Sequence, residues 1–396
     1  MHKKFKKRFC IILGAALLPV LFSILCTYIA DPLEIFRSRN GEEGCLVSNQ
    51  RYMDAGIIQR YVRHAEAPIS IIMGTSMTQN FVPEELSAVL HWPAPYSLGV
   101  SGGRPGEQRT IIDFALGSKN VTNVLWGLHY YFSQQHDWET HPHYAFPNWL
   151  YTGHLWDKAP YLLDYKMLLL SQELLQGKAP TPRPVSLHSV WMGSPERLLK
   201  FHEFVSPAAF AEQRSAAPKP ITELLSSSSF PAIDKVLFTT VREHPETRFT
   251  IFFPPSSLYF YAKSPRYRIR TLQMVQYIVS KLSLYPNLEV YGFDDVSAIV
   301  ANMANYRDPE HYGIGVNRYI LASIARKQHL LTAKNIAQYV RSSLNLFNTY
   351  PIYQDKSSTV AFEGPFNTDL FTDCAFPPLG PQSPLRGIYS PPAAHP

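Results

Sequence analysis

The chain has 396 residues, 45% of them hydrophobic and only 17% charged, with a formal net charge of +6. Five of its positive charges (Lys3, Lys4, Lys6, Lys7 and Arg8) crowd into the first eight residues, so the body is close to neutral and carries no global field that favours nucleic acid. Cysteine usage is thin, and two of the four cysteines, Cys10 and Cys26, fall within the apolar run near the N-terminus.

Taken in chain order, residues 1–8 form a basic segment and residues 9–30 contain no charge at all. A run of about 22 such positions is long enough to cross a bilayer core as a helix. It exceeds the apolar region of a cleavable signal peptide and ends in Tyr28-Ile29-Ala30-Asp31-Pro32, which offers no small-x-small cleavage site. A lipobox at Cys26 is the rival reading, opposed by the large Leu25 beside it. The basic cluster places the N-terminus in the cytoplasm by the positive-inside rule. The expectation is a single-pass protein of the inner membrane with its main domain periplasmic and the membrane as its first partner. Residues 31–64 read as a juxtamembrane connector. Export permits a disulfide between Cys45 and Cys374, and equally both can stay unpaired.

Between 65 and 345 five short apolar runs bounded by turn signals read as strands buried on both faces: Pro68–Thr75, Ala94–Val100, Val121–Tyr131, Arg248–Pro254 and Leu288–Phe293. Helical patterns alternate with them. One begins at Pro83-Glu84-Glu85-Leu86, with a proline and acids in its first turn. The others are Glu107–Leu116, Asp234–Glu243, Arg270–Leu284 and Gly315–Lys327. Strand alternating with helix argues an α/β domain with a doubly wound parallel sheet. Roughly 115 residues separate the third strand from the fourth, too many for an ordinary connection. This insertion, about 132–245, holds a helical pattern over Tyr161–Leu175 and is otherwise rich in proline, histidine and aromatics. We read it as a cap over the C-terminal edge of the sheet, where open α/β sheets bind ligands, against a simpler flank insertion without a ligand role. Residues 346–396 are proline-rich and aperiodic, the composition of a disordered tail.

The polar residues at the strand ends carry the chemistry. The first strand runs into Gly74-Thr75-Ser76-Met77-Thr78, the second into Gly99-Val100-Ser101-Gly102-Gly103, and the third into Trp126-Gly127-Leu128-His129. Asn305-Tyr306-Arg307-Asp308-Pro309-Glu310-His311-Tyr312 opens the final helix. All four belong to one edge of a parallel sheet, so their side chains can converge. A serine hydroxyl needs a base to accept its proton at neutral pH, and His311 is the candidate. Asp308, three residues earlier, can hold that ring in one tautomer and stabilise the imidazolium. Backbone N–H groups of Ser76 and Gly102 can serve an oxyanion.

These motifs, in this order, resemble the SGNH (GDSL-like) hydrolase superfamily over about residues 65–330, and more narrowly its membrane-anchored bacterial envelope members. The serial order is also similar to that of envelope O-acyl-transfer proteins of the D-alanylation type. It is less similar to alginate acetylation proteins, whose Asp-x-His precedes the serine. The resemblance implies a flavodoxin-like doubly wound sheet of SGNH type. It implies catalytic roles for Ser76, Asp308 and His311, and an oxyanion site from Ser76, Gly102 and His129. No cofactor and no metal are implied. The implied activity is that of a serine esterase or O-acyltransferase on an acylated small molecule or envelope polysaccharide, with an envelope acyltransferase as the kind of protein partner. The second function class is a non-catalytic binding or assembly factor that keeps the scaffold. Two departures stand out: Gly-Thr-Ser replaces the usual Gly-Asp-Ser, and His129 stands where the third oxyanion donor is usually Asn.

Other readings compete. Gly99-Val100-Ser101-Gly102-Gly103 matches a nucleophile elbow with Ser101 attacking, although Arg104-Pro105-Gly106 interrupt the required passage from strand to helix. His141-Pro142-His143, with His129, His136, His154, Asp137 and Glu139 elsewhere in the stretch, offers weak metal-ligand spacing. Tyr130, Tyr131, Trp138, Tyr144, Trp149, Tyr151 and Trp156 could stack on sugars, or simply pack.

Overall fold

The computed structural model describes residues 2–33, 35–36, 49–136, 138–177, 208, 229–302 and 305–349. Cys45, Cys374 and Asp137 lie outside the described residues, as does the proline-rich stretch from 350 onward.

The chain divides into two compact units, Met1–Ala65 with Phe146–Leu187, and Glu66–Ala145 with His188–Pro396. In the first unit His2–Ala30 is one helix, and its segment Phe5–Ala30, with a mean hydropathy of 2.7, is long and apolar enough to cross a membrane. Its last turns bury Ser23, Cys26, Thr27 and Ala30, a helical i, i+3, i+4, i+7 stripe. That end of the helix packs against Ala159–Leu163 and Tyr165–Leu175, and Ser23 Oγ donates to Leu162 O at 3.4 Å. The helical pattern over Tyr161–Leu175 is thus broken at Asp164. Its carboxylate accepts from the Lys166 and Met167 amides at 2.8 and 3.1 Å and starts a second helix.

Residues 31–64 are more than a connector. They contain the helix Gln50–Ile57, capped by Asn49, and Gly56 of that helix approaches Leu33 so closely that a Cβ would stand 2.4 Å from its carbonyl oxygen. Tyr161 Oη donates to Asp31 Oδ1 and accepts from the Leu33 amide. Lys158 is buried but satisfied, donating to the carbonyls of Trp149, Leu150 and Thr152. The insertion is therefore not one body. Phe146–Leu187 belongs to the unit of the N-terminal helix, against which Tyr165–Leu175 packs, whereas the helical stretch through Ile233–Phe238 and Thr239–Glu243 belongs to the second unit.

The second unit is built on five strands, β1 (Ile69–Gly74), β2 (Pro95–Gly99), β3 (Val121–Gly127), β4 (Arg248–Phe253) and β5 (Leu288–Gly292). All pair in parallel, in the order 2-1-3-4-5. Every residue of β1 is buried, which is why the strands read as continuous apolar runs rather than as alternation. The strand order reverses between β1 and β3, and such a switch point opens a crevice beyond the C-terminal strand ends. β3 stops at Gly127 rather than Tyr131. Leu128 still donates to Phe252 O, and the chain then coils into the helical turn Tyr130–Ser133. Pro83–Leu90, Pro105–Leu116, Pro265–Lys281 and Ile314–Ala325 supply the larger helices. A further helix, Ile336–Thr349, runs past 345, where the tail was expected to begin; it buries Tyr339, Val340 and Phe347.

Candidate active site

β1, β2, β3 and β5 all end in glycine, and one side chain explains the first three. Thr78 lies fully buried beneath the turn Ser76–Thr78. A Cβ on Gly74 would come within 2.5 Å of Thr78 Cγ2, one on Gly99 within 2.7 Å of Thr78 Oγ1, and one on Gly127 within 2.7 Å of Thr78 Cγ2. Real Cβ contacts do not come so close, so the three glycines let the turn sit down onto the ends of β1, β2 and β3. Thr78 Oγ1 donates to Thr75 O at 2.9 Å, while Thr75 Oγ1 accepts weakly from the Met77 amide at 3.4 Å. Ser76 is thereby presented at the head of a rigid turn. Gln79 adds a further tie by donating to Gly99 O at 2.9 Å.

The other half of the site is a hairpin-like loop without a strand beneath it. Gly313 N donates to Asn305 O and Arg307 N to His311 O, each at 2.8 Å, closing the loop. Ser257 Oγ donates to Pro309 O at 2.6 Å and Tyr306 Oη to Pro255 O at 3.1 Å, fastening it to the chain after β4. Two bonds then join it to the serine turn: Asn80 Nδ2 to Tyr312 O at 3.2 Å, and Tyr312 Oη to Met77 O at 3.3 Å. Farther back, Arg318 Nε donates to Glu85 Oε1 at 2.8 Å, linking the helices that follow the two loops.

The outcome is a contact across 235 residues of sequence: Ser76 Oγ lies 2.7 Å from His311 Nε2. On the opposite side of the ring, His311 Nδ1 stands 2.7 Å from Asp308 Oδ2 and 2.9 Å from Oδ1. Asp308 Oδ1 also accepts from the amides of His311 at 2.9 Å and Glu310 at 3.0 Å. Burial pushes the Asp308 carboxyl up, but the His311 ring and these amides outweigh it and hold its pKa below the ordinary value. An ionised carboxylate on Nδ1 fixes the tautomer that leaves Nε2 free to take a proton from Ser76. That arrangement can turn the hydroxyl into a nucleophile.

Gly102 sits in the turn after β2 at φ +62°, the left-handed region, and a Cβ there would press on the His141 ring at 3.3 Å. Among the described residues neither the Ser76 nor the Gly102 amide has a hydrogen-bond acceptor. His129 is buried next to the histidine loop, and neither of its ring nitrogens has a hydrogen-bond partner among the described residues. Nε2 lies 3.6 Å from Glu310 Oε2, and the ring packs 4.2 Å from Tyr130 and 4.8 Å from Tyr131. Ser101, the rival nucleophile, donates to the Gln79 side-chain oxygen at 3.3 Å, and an amide oxygen is no base. Among the described residues no group of three or more His, Cys, Asp or Glu side chains is gathered to hold a metal ion. His141 instead accepts from the His143 amide at 3.1 Å and packs on Tyr144. Thr78, Asn80, Ser257 and Tyr312 were not singled out from sequence. The glycines at three strand ends were the one available signal, and they point only to Thr78.

Comparison with known proteins returns no matching family model, no matching curated sequence and no matching solved structure.

Proposed function

We propose that the chain is a membrane-anchored, extracytoplasmic serine acyl hydrolase or O-acyltransferase of SGNH type, acting on an acylated envelope glycan or another acylated substrate. The observation that carries this reading is the hydrogen-bonded series Ser76–His311–Asp308. In the reaction, Ser76 Oγ attacks the ester carbonyl as its proton passes to His311 Nε2. The Asp308 carboxylate stabilises the resulting imidazolium. The Ser76 and Gly102 amides donate to the oxyanion. Collapse of the tetrahedral species breaks the bond to the alcohol, which leaves with the proton from His311, and the acyl group remains on Ser76. Water or an acceptor hydroxyl then gives its proton to His311 and takes the acyl group by the reverse sequence. Hydrolysis and transfer differ only in which hydroxyl arrives.

A second reading, a non-catalytic scaffold, is favoured by one observation: a histidine, His129, whose Nε2 lies 3.6 Å from Glu310 Oε2, stands where the third oxyanion donor is usually Asn. Labelling with a serine-directed fluorophosphonate separates the two. The enzyme reading expects one label, lost in Ser76→Ala and His311→Ala, and the absence of labelling in the folded wild type would decide for the scaffold.

The anchor reading rests on Phe5–Ala30 and the basic residues before it. Trp156, Leu163, Tyr165 and Leu175 of the same unit are also exposed, apolar surface suited to a membrane rather than to water. A C-terminal alkaline phosphatase fusion should be active and a cytoplasm-dependent reporter silent; the opposite pattern would overturn the orientation.

A further inference from the structure

Pro265–Lys281 begins in an unusual way. Its first turns read Pro-Arg-Tyr-Arg-Ile-Arg with no acidic residue, although helix N-termini favour negative charge and disfavour cations. Arg268 turns inward and is neutralised by Asp294, with Nη1 3.0 Å from Oδ2. Arg266 and Arg270, one turn apart, instead line a cleft of about 660 Å³, within the range of small-ligand sites. A third arginine, Arg104, reaches the same cleft from the turn after β2, and His136 lies on its wall. No acidic residue is among those lining it. None of the three arginines is ion-paired among the described residues.

Two of these cations, Arg104 and Arg270, are held in place without being neutralised. Arg104 Nη1 donates to Gln134 Oε1 at 2.8 Å and its guanidinium lies 4.1 Å over the Tyr131 ring, while its Nε is buried with no hydrogen-bond partner. Arg270 donates to Ser133 O at 2.9 Å and lies 4.7 Å over the Phe230 ring. Burial pulls the pKa of Arg270 down, as befits a cation without a counter-charge. Three convergent guanidinium groups at the positive end of a helix dipole make a strong, focused positive field, and their forked donors match phosphate or carboxylate oxygens.

A series of contacts runs from the cleft to the histidine loop, ending where His129 Nε2 lies 3.6 Å from Glu310 Oε2. Tyr267, on its wall, stacks 4.4 Å from Tyr130, which packs 4.2 Å from His129. Arg104 follows Gly102 by two residues, and Gln134 follows His129 by five.

We propose that this cleft binds an anionic group, phosphate or carboxylate, borne by the molecule whose ester Ser76 cleaves or transfers. The link to the ester rests on the serine acyl-transfer reading; the anion site itself does not. Binding is therefore measured on the full chain in uncharged detergent, in both the wild type and Ser76→Ala. Calorimetric titration uses glycerol 3-phosphate and glucuronate, with glycerol and glucose as uncharged controls. The charged probes should bind both proteins, and the neutral ones should not. Affinity should fall with added salt. Binding should weaken about tenfold or more in R266Q/R270Q, with R104Q as a second variant if that protein does not fold. The stronger of the two charged probes identifies phosphate or carboxylate as the preferred group. Equal binding of charged and neutral probes, or affinity unchanged by the arginine substitutions, would overturn the anion site even if Ser76 labels with fluorophosphonate. Failure of labelling with anion binding intact would instead sink the acyl-transfer reading and leave the anion site standing. The link is tested by kcat/KM for the acetylated form of whichever charged probe binds more tightly, against its uncharged counterpart: acetylated glucuronic acid against acetylated glucose, or acetylated glycerol 3-phosphate against acetylated glycerol. A preference of at least tenfold for the charged ester that R266Q/R270Q abolishes supports it, and no preference in the wild type overturns it.

Discussion

The serine turn and the histidine loop hold the two ends of one hydrogen bond, yet they are built by different physics. The serine turn is placed by packing: Thr78 wedges it against three strand ends from which side chains are missing. The histidine loop has no strand beneath it and is placed by polar contacts, namely its own closure, Ser257 and Tyr306 behind it, and Asn80 and Tyr312 across to the serine. A close-packed turn resists displacement in every direction, because overlap rises steeply. A hydrogen-bonded loop yields in steps as individual bonds are lost. Substitutions in the two regions should therefore fail in different ways.

The largest effect comes from removing either end of the shared bond. Ser76→Ala and His311→Ala should each lower turnover of an acyl ester by on the order of 10⁴-fold or more, and the double variant should be no worse, since members of such a unit fail together. Asp308→Asn should retain more activity than either, because it disturbs the orientation of the base rather than removing it. Additive losses in the double variant would show that the two residues do not act on one proton.

Next comes steric failure of the serine turn. Gly127→Ala places a Cβ 2.7 Å from Thr78 Cγ2 and 2.9 Å from Phe252 Cζ. Overpacking of this kind costs about 1–3 kcal/mol. Denaturant unfolding should report that loss, and activity should fall with it as Ser76 is lifted away from His311. Thr78→Ser removes the offending methyl while keeping the hydroxyl that bonds Thr75 O, so adding it to Gly127→Ala should recover part of both. Failure of this rescue would mean that Phe252, not Thr78, sets the height of the turn.

The same contrast explains what the sequence disclosed. All five strands lie within the stretches read as strands, because a parallel strand buried on both faces leaves an apolar run that needs no partner to be recognised. The other four were drawn one or two residues too long and β3 four, since Leu128, Tyr130 and Tyr131 continue the apolar run after the backbone has turned. Ser76, Asp308 and His311 could be singled out because each is a chemically distinctive residue in a strand-end or helix-start position. Asn80, Ser257 and Tyr312 could not, because their partners are backbone carbonyls brought close only by the fold. The split of the insertion was equally hidden: nothing local to Tyr165–Leu175 reveals that it packs against the N-terminal helix. The helix Ile336–Thr349 was legible in principle, since Ile336, Tyr339, Val340, Ser343 and Phe347 recur at helical spacing, but its serines, asparagines and threonine are poor helix formers.

A smaller, graded effect is expected in the loop. Tyr312→Phe deletes the donor to Met77 O while leaving the ring in its buried place. Loss of one such bond costs about 1 kcal/mol, and activity should fall several-fold rather than vanish. Asn80→Ala should do much the same, and because both bonds span the same two loops the double variant should depart from additivity. Strictly additive stability losses would mean that the loop is held elsewhere, by Ser257 and Tyr306.

The smallest effect is one of pH, and it tests whether the loop's order depends on charge. Asp308 is held below its ordinary pKa in the folded chain by the His311 ring and the His311 and Glu310 amides, against burial that pushes it up. A carboxyl whose folded pKa lies below its unfolded one contributes stability that is fully present above the unfolded pKa and is lost as pH falls through the folded value. Asparagine at this position does not titrate there. The difference in Tm between wild type and Asp308→Asn should thus be constant near neutrality and shrink as pH is lowered from about 6 to about 3, across and below the ordinary carboxylate range. The ring hydrogen bond and the two amide bonds converge on one ionised group, so all three weaken together when it takes up a proton. A gap that stays level or widens on acidification would show that the carboxylate is not what orders the loop, and would leave the placement of His311 to Ser257, Tyr306 and the contacts with the serine turn.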